Sequence, residues 1–184
     1  NDQGTSIKTS AKLVKESDLT LNLSQKIIKM IQEKYSEQIT ATVTRTQNRY
    51  IPLQRRISLS HDEKADFYLS LHYNSAFSTS ISGTEIYFPE SHKLNTNTSN
   101  SILDFIKQDL IETGRIKQSL NFSNQLAQSW KISKVNIRRA PFFVLEKAEV
   151  PSILIEVGYL TNPDERKALL TENNQDLVAE SIVK

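Results

Sequence analysis

Residues 151–166, PSILIEVGYLTNPDER, constrain the fold more than any other stretch of the chain. Ile153 to Val157 make a short, almost wholly apolar run with β-branched residues, the pattern of a strand buried on both faces inside a parallel sheet. The run carries one carboxylate, Glu156, and Gly158 follows closely. Asn162, Pro163 and Glu165 then supply an N-cap, a proline at the first helical position and the acidic partner of a capping box. Strand, short loop and helix in that order place Glu156 at the carboxyl end of a strand, where open α/β sheets gather ligands and catalytic groups. A carboxylate in so apolar a run is costly unless it is paired or bound. Two readings follow: a catalytic or ligand-binding group, or half of a buried ion pair.

The remaining chain alternates helical and extended patterns. Residues 1–15 are polar and read as a loop. Leu19, Leu23, Ile27 and Met30 or Ile31 recur at helical spacing, so residues 18 to about 34 form an amphipathic helix, with Glu16 just ahead as a charge suited to a helix N-terminus. ITATVTR (39–45) alternates as a strand does, 45–51 is a loop, and Pro52 opens a helix with Leu53 and Ile57 on its buried stripe. In Asp66–Asn74, Phe67, Leu69 and Leu71 point one way while Ser70, His72 and Asn74 point the other. Residues 83–88 predict a further strand, antiparallel or at an edge. A polar loop, 89–100, precedes a helix from Ile102 to about Thr113, which Gly114 interrupts and Ile116 to Trp130 continue. Residues 132–140 read as a basic loop, Phe142–Leu145 as a strand, and the last helix, from Pro163, breaks near Asn173. Strands separated by helices across 184 residues predict a single α/β domain, a mostly parallel twisted sheet with helices on both faces.

Composition narrows the chemistry. The 23 basic residues against 21 acidic ones leave a net charge near +2, and no basic run is interleaved with aromatics, which argues against a nucleic-acid partner. The absence of cysteine excludes disulfides, thiolate metal sites and cysteine nucleophiles. No apolar run approaches the roughly 20 residues of a membrane span. There is no phosphate-binding glycine loop and no HExxH pair. Glu16, His72 and Glu156 stand at the ends of three separate elements, and imidazole plus carboxylate suits Zn²⁺. Of the other two histidines, His61 sits beside Asp62 and Glu63 as a solvated residue, and His92 lies in the polar loop. Glu156 would be a third ligand or the base beside the metal.

These residues resemble the zinc-dependent N-acetylmuramoyl-L-alanine amidases of the amidase-3 type, and most nearly those of Gram-negative cell division. The resemblance runs through Glu16–Asn22, Val43–Thr46 with Arg56, Ser70–Asn74, Gly83–Phe88, Phe143–Leu145 and Val150–Pro163, so that residues 1–184 are one catalytic domain. It implies a peptidoglycan substrate cut between N-acetylmuramic acid and L-alanine, with Zn²⁺ held by Glu16 and His72 and with Glu156 as the catalytic carboxylate. It implies a further zinc-ligand histidine in a first strand upstream of Asn1. Asn74, Ser70 and Arg45 are candidates to touch substrate or to support the ligands from behind. Residues 89–121 resemble a regulatory helical insertion that blocks the metal until an activator protein displaces it, with Glu90 or His92 as candidate blocking ligands. A monomer exported to the periplasm or cell envelope is the expectation. The alternatives are an inactive relative that binds peptidoglycan or a division protein and, more distantly, an unrelated cytoplasmic metallopeptidase.

Overall fold

The computed structural model describes residues 4–9, 13–90 and 101–184. Two short strands, β1 (Ser6–Lys8) and β2 (Leu13–Lys15), pair antiparallel where a loop is expected from the sequence. Helix α1 (Glu16–Lys34) follows without a break and buries Leu19, Leu23, Ile27 and Ile31 along one stripe. Next come α2 (Leu53–Asp62), β3 (Tyr68–Asn74), β4 (Thr84–Pro89), α3 (Ile102–Ser129), β5 (Val135–Ala140), α4 (Phe143–Lys147), β6 (Ser152–Tyr159), α5 (Pro163–Leu169) and α6 (Glu172–Val183).

Four strands form one mixed sheet in the order β3-β6-β4-β5. The pairs β3–β6 and β4–β5 are parallel, whereas β4 runs antiparallel to β6 in the interior of the sheet. One face carries Tyr73, Ile86, Phe88, Ile153, Ile155 and Val157 against α1, α3 and α6 in the main core. Ile155, Val157 and Leu23 are fully buried, each contributing about 1.5–3 kcal/mol. The other face carries a smaller cluster, where Tyr68 and Leu154 meet Ile57 of α2 and Val144 and Leu145 of α4. That cluster ends where the side chains on this face of β3, β6 and β4 turn polar.

Several sequence expectations are corrected. Residues 39–45 form no strand: a β-rich segment needs a neighbour for its ladder, and none pairs with it among the described residues. The strand expected at 142–145 is instead the helical turn α4, and the expected loop at 132–140 contains β5, since a four-residue apolar run cannot fix its own type by periodicity. Arg138 and Arg139 are exposed on β5, as suits the charged edge of a sheet. Gly114 does not interrupt α3, a continuous helix of 28 residues. A single helical glycine costs only about 1 kcal/mol. The C-terminal break falls between Leu169 and Glu172, where Thr171 caps α6. Asn162 caps α5 as expected, accepting from Asp164 N and Glu165 N at 3.0 Å. Glu165 does not close a capping box, however. Its carboxylate accepts from Gly83 N and Tyr159 N, both at 2.8 Å, and ties two loops together.

Candidate functional site

The polar end of the second face is built by register. His72 stands opposite Glu156 across the parallel β3–β6 ladder, and Glu85 stands opposite Glu156 across the antiparallel β4–β6 ladder. Period-two alternation adds Ser70 and Asn74 on β3, Tyr87 on β4 and Arg138 on β5 to the same face. Between Glu156 and Tyr159, β6 holds one more residue than β3 does between His72 and Asn74. Such a bulge re-aims the side chains that follow it. Here it swings Tyr159 onto the site face, where its hydroxyl donates to Glu85 Oε2 at 3.1 Å.

Glu16 opens α1 and is buried. Its backbone N–H donates to Thr5 O at 2.8 Å, and its Oε2 accepts from Thr5 N at 2.8 Å. Its Oε1 contacts His72 Nδ1 at 2.8 Å and accepts from Tyr73 N at 3.3 Å. Burial alone would push this carboxyl upward, but the hydrogen bonds from His72, Thr5 N and Tyr73 N outweigh it and hold Glu16 below the ordinary range. Gly4 lies against this carboxylate in the left-handed region, φ +68°, and a Cβ there would sit 2.1 Å from Glu16 Oε2. So Glu16 is both the helix-end charge that the sequence suggests and a carboxylate held against His72. The other nitrogen of His72, Nε2, lies 3.2 Å from Ser70 Oγ.

Glu156 is different. Its Oε2 is buried and has no hydrogen-bond partner. Burial, with smaller contributions from the neighbouring Glu16 and Glu85 carboxylates, pushes its carboxyl up to about 7 against the opposing pull of His72. A group balanced between acid and base near neutral pH suits proton transfer in both directions.

Glu85, by contrast, is saturated. Its Oε2 accepts from Tyr87 OH (2.7 Å), Asn74 Nδ2 (2.9 Å) and Tyr159 OH, and its Oε1 faces Arg138 at 3.2 Å. Desolvation and this carboxylate together raise the Tyr159 phenol to about 12. Neither Glu85, Tyr87, Arg138 nor Tyr159 stands out as a site residue from sequence. The signal was present for Glu85, an acid in an apolar strand just as Glu156 is.

Of the other sequence candidates, Arg45 points to the start of α1, donating to Ser17 O (2.6 Å) and Thr20 Oγ1 (3.1 Å), so it braces the helix that carries Glu16. Glu90 is exposed and lies past the end of β4. Because β4 is antiparallel to β6, it stands five residues along from Glu85, about 17 Å from the level of Glu156. His92 lies outside the described residues. His61 is half-exposed beside Glu149.

The donor set can be tested against a metal. Glu16 and His72 supply one carboxylate and one imidazole, the right chemistry for Zn²⁺, and the orphaned oxygen of Glu156 lacks a partner within the chain. These residues fit two ligands and a neighbouring base. Among the described residues no group of three or more His, Asp or Glu converges to hold a metal.

Residues 1–184 match the family described as N-acetylmuramoyl-L-alanine amidase (Amidase_3). The chain is 27% identical to N-acetylmuramoyl-L-alanine amidase AmiC of Escherichia coli O6:H1 over 92% of its own length and 46% of that protein. It is 24% identical to AmiA of Escherichia coli K12, covering 79% of this chain and 59% of that one, so it spans about half the length of these relatives. Among solved structures it resembles the N-acetylmuramoyl-L-alanine amidase of Clostridium difficile 630, with a TM-score of 0.72 and 28% identity over 100% of this chain and 87% of that one. With the family match spanning every residue and the fold agreeing with it, this chain belongs to the N-acetylmuramoyl-L-alanine amidase family.

Proposed function

We propose that the chain hydrolyses the amide between N-acetylmuramic acid and L-alanine in peptidoglycan, with Zn²⁺ as its metal, and so frees stem peptides during wall remodelling or division. The observation that carries this reading is the convergence of Glu16 and His72 beside Glu156, whose buried oxygen is left unpaired. Glu16 and His72 would hold the metal. Zn²⁺ held there would supply acidification of a water molecule and polarisation of the amide carbonyl. Glu156, whose oxygen has no partner within the chain, would take the proton from the attacking water and deliver it to the departing amine of L-alanine. Thr5, Tyr73 and Gly4 fix the Glu16 carboxylate so that its donor geometry is set before substrate arrives.

The setting proposed with it is the cell envelope, the periplasm in a Gram-negative cell, with an activator protein as a partner. No helix among the described residues is long and apolar enough to cross a membrane. A second reading, a non-catalytic module that binds peptidoglycan, is favoured by the fact that only two convergent donors lie among the described residues. Zinc content and release of stem peptides from purified sacculi, measured for the protein and for Glu156→Gln in parallel, separate the two. About one zinc per chain with release, lost in the variant while the metal stays, supports the amidase. No zinc and no release leaves the binding module.

A further inference from the structure

Beside Glu156, on the β4–β5 side, the sheet opens into a recess of about 440 Å³ lined by Asn74, Ser82, Glu85, Tyr87, Arg138 and Tyr159 among others. Two of its lining groups are charged, Glu85 and Arg138. Glu85 is buried and committed to four internal donors, so it has little left to offer a ligand. Arg138 is 58% exposed and engages Glu85 through one nitrogen. A guanidinium has five N–H donors, so most of its fork remains available to the recess. Tyr87, which helps to orient Glu85, is in turn wedged edge-on against Phe142 with ring centroids 5.0 Å apart. Among the described residues, the recess is therefore a polar wall whose one cationic group, Arg138, is held at one nitrogen by Glu85 and exposed along the rest of its fork.

Resting on the amidase reading, we propose that this recess binds the stem-peptide side of the substrate, and that Arg138 pairs with the carboxylate of the residue following L-alanine. Reach and charge both favour this. Neighbouring strands are about 4.8 Å apart, and an extended chain advances about 3.5 Å per residue. A peptide whose scissile amide lies at Glu156 and whose stem runs toward the recess would bring its next residue level with β4 and β5. The glycan, once the lactyl carboxyl is in amide linkage, carries no charge on its muramic acid–glucosamine units. The substrate's carboxylates are all on the stem. Guanidinium recognises carboxylate with paired, charge-assisted hydrogen bonds, and a carboxamide at the same place would forfeit one of them.

The test uses glycan chains with uncrosslinked stems in two forms, one with a free carboxylate on the second stem residue and one with that group converted to the carboxamide. The zinc-loaded protein is expected to release the carboxylate form with about a tenfold lower KM and a similar kcat. In Arg138→Ala the two forms should converge to within about twofold, and Arg138→Lys should retain part of the preference. Circular dichroism of each variant checks the fold, because Arg138→Ala also removes the cationic partner of the buried Glu85, which keeps its three other donors. Equal KM values in the wild type, a preference that survives in Arg138→Ala, or a KM that rises equally on both forms would each overturn the assignment while leaving the amidase intact. Release of neither form by the wild type would remove the amidase reading itself.

Discussion

Glu85 and Glu156 face each other across one ladder, on one face of one sheet, yet they are opposite kinds of carboxylate. Glu85 accepts from Asn74, Tyr87 and Tyr159 and pairs with Arg138, so its charge is compensated in place. Glu156 is half-buried near two other carboxylates, with a buried oxygen that has no partner within the chain. Strand position and residue type are therefore insufficient to make a reactive acid. What separates the two is the number of donors that surround each one, and these come from β3, β5 and the bulged end of β6. Leaving a group unsatisfied destabilises the fold, and such a cost is retained where chemistry needs the group poised.

The largest expected effect follows from removing the reactive member. Glu156→Gln should lower release of stem peptides by about 10³-fold, in line with the loss of a general acid–base group, and should leave the fold and the metal content unchanged. Glu85→Gln, assayed beside it, should keep activity within about tenfold, because the amide oxygen still accepts from the tyrosines. If both variants lose activity equally, the division of labour between these carboxylates is wrong. The stability ranking should be reversed. Glu85→Leu leaves Asn74 and two phenols without their acceptor and should cost about 2–3 kcal/mol in urea unfolding, whereas Glu156→Gln should cost nothing.

The pH dependence of the metal-free protein sharpens the same contrast. The Glu156 carboxyl sits at about 7 in the folded chain against an ordinary value of 4.5. Below pH 4.5 it is protonated in both states and native stability is intact. As pH rises to 7 and beyond, the unfolded chain releases a proton that the folded chain keeps, and stability falls. At about 1.4 kcal/mol per pH unit the loss approaches about 3.5 kcal/mol. Unfolding in the presence of a chelator should therefore find Glu156→Gln more stable than wild type by about 3 kcal/mol at pH 8.5 and nearly equal to it at pH 4. A difference that does not change with pH would mean that Glu156 is satisfied by a partner after all.

Part of this site is legible in the sequence, and the limits are physical. Glu156 is conspicuous because a carboxylate in SILIEV is expensive in any fold that buries the run, and His72 because alternation in YLSLHYN fixes its face. The same reasoning applies to Glu85 in TEIYF. Its place in the site, though, depends on β4 lying antiparallel to β6, and register between distant strands leaves no mark on local pattern. Arg138 is hidden because VNIRRA, an edge strand, has the composition of a loop. Tyr159 is hidden by the bulge, since simple alternation from Glu156 assigns it to the opposite face. The helices are better recorded. The stripe of α1 and the Asn162–Pro163 start of α5 are local facts, while the expected strand at 39–45 fails for want of a neighbour.

The smallest effect tests how far the surroundings of Glu85 reach. Tyr159→Phe removes one of the three donors to Glu85 Oε2 and removes its own polar hydrogen with it, so no new donor is left without an acceptor. The remaining two donors and Arg138 still hold the carboxylate. The ring stays buried at 8% exposure with its packing unchanged. The expected cost is that of one hydrogen bond, about 0.5–1.5 kcal/mol by urea unfolding, and kcat should move by less than about threefold. Tyr87→Phe should behave in the same way, because it too leaves two donors in place. If either variant abolishes release of stem peptides while its unfolding midpoint hardly moves, Glu85 and its donors act on the reaction directly. The boundary drawn between a compensated carboxylate and a reactive one would then lie outside this pair of strands, somewhere in the recess they share.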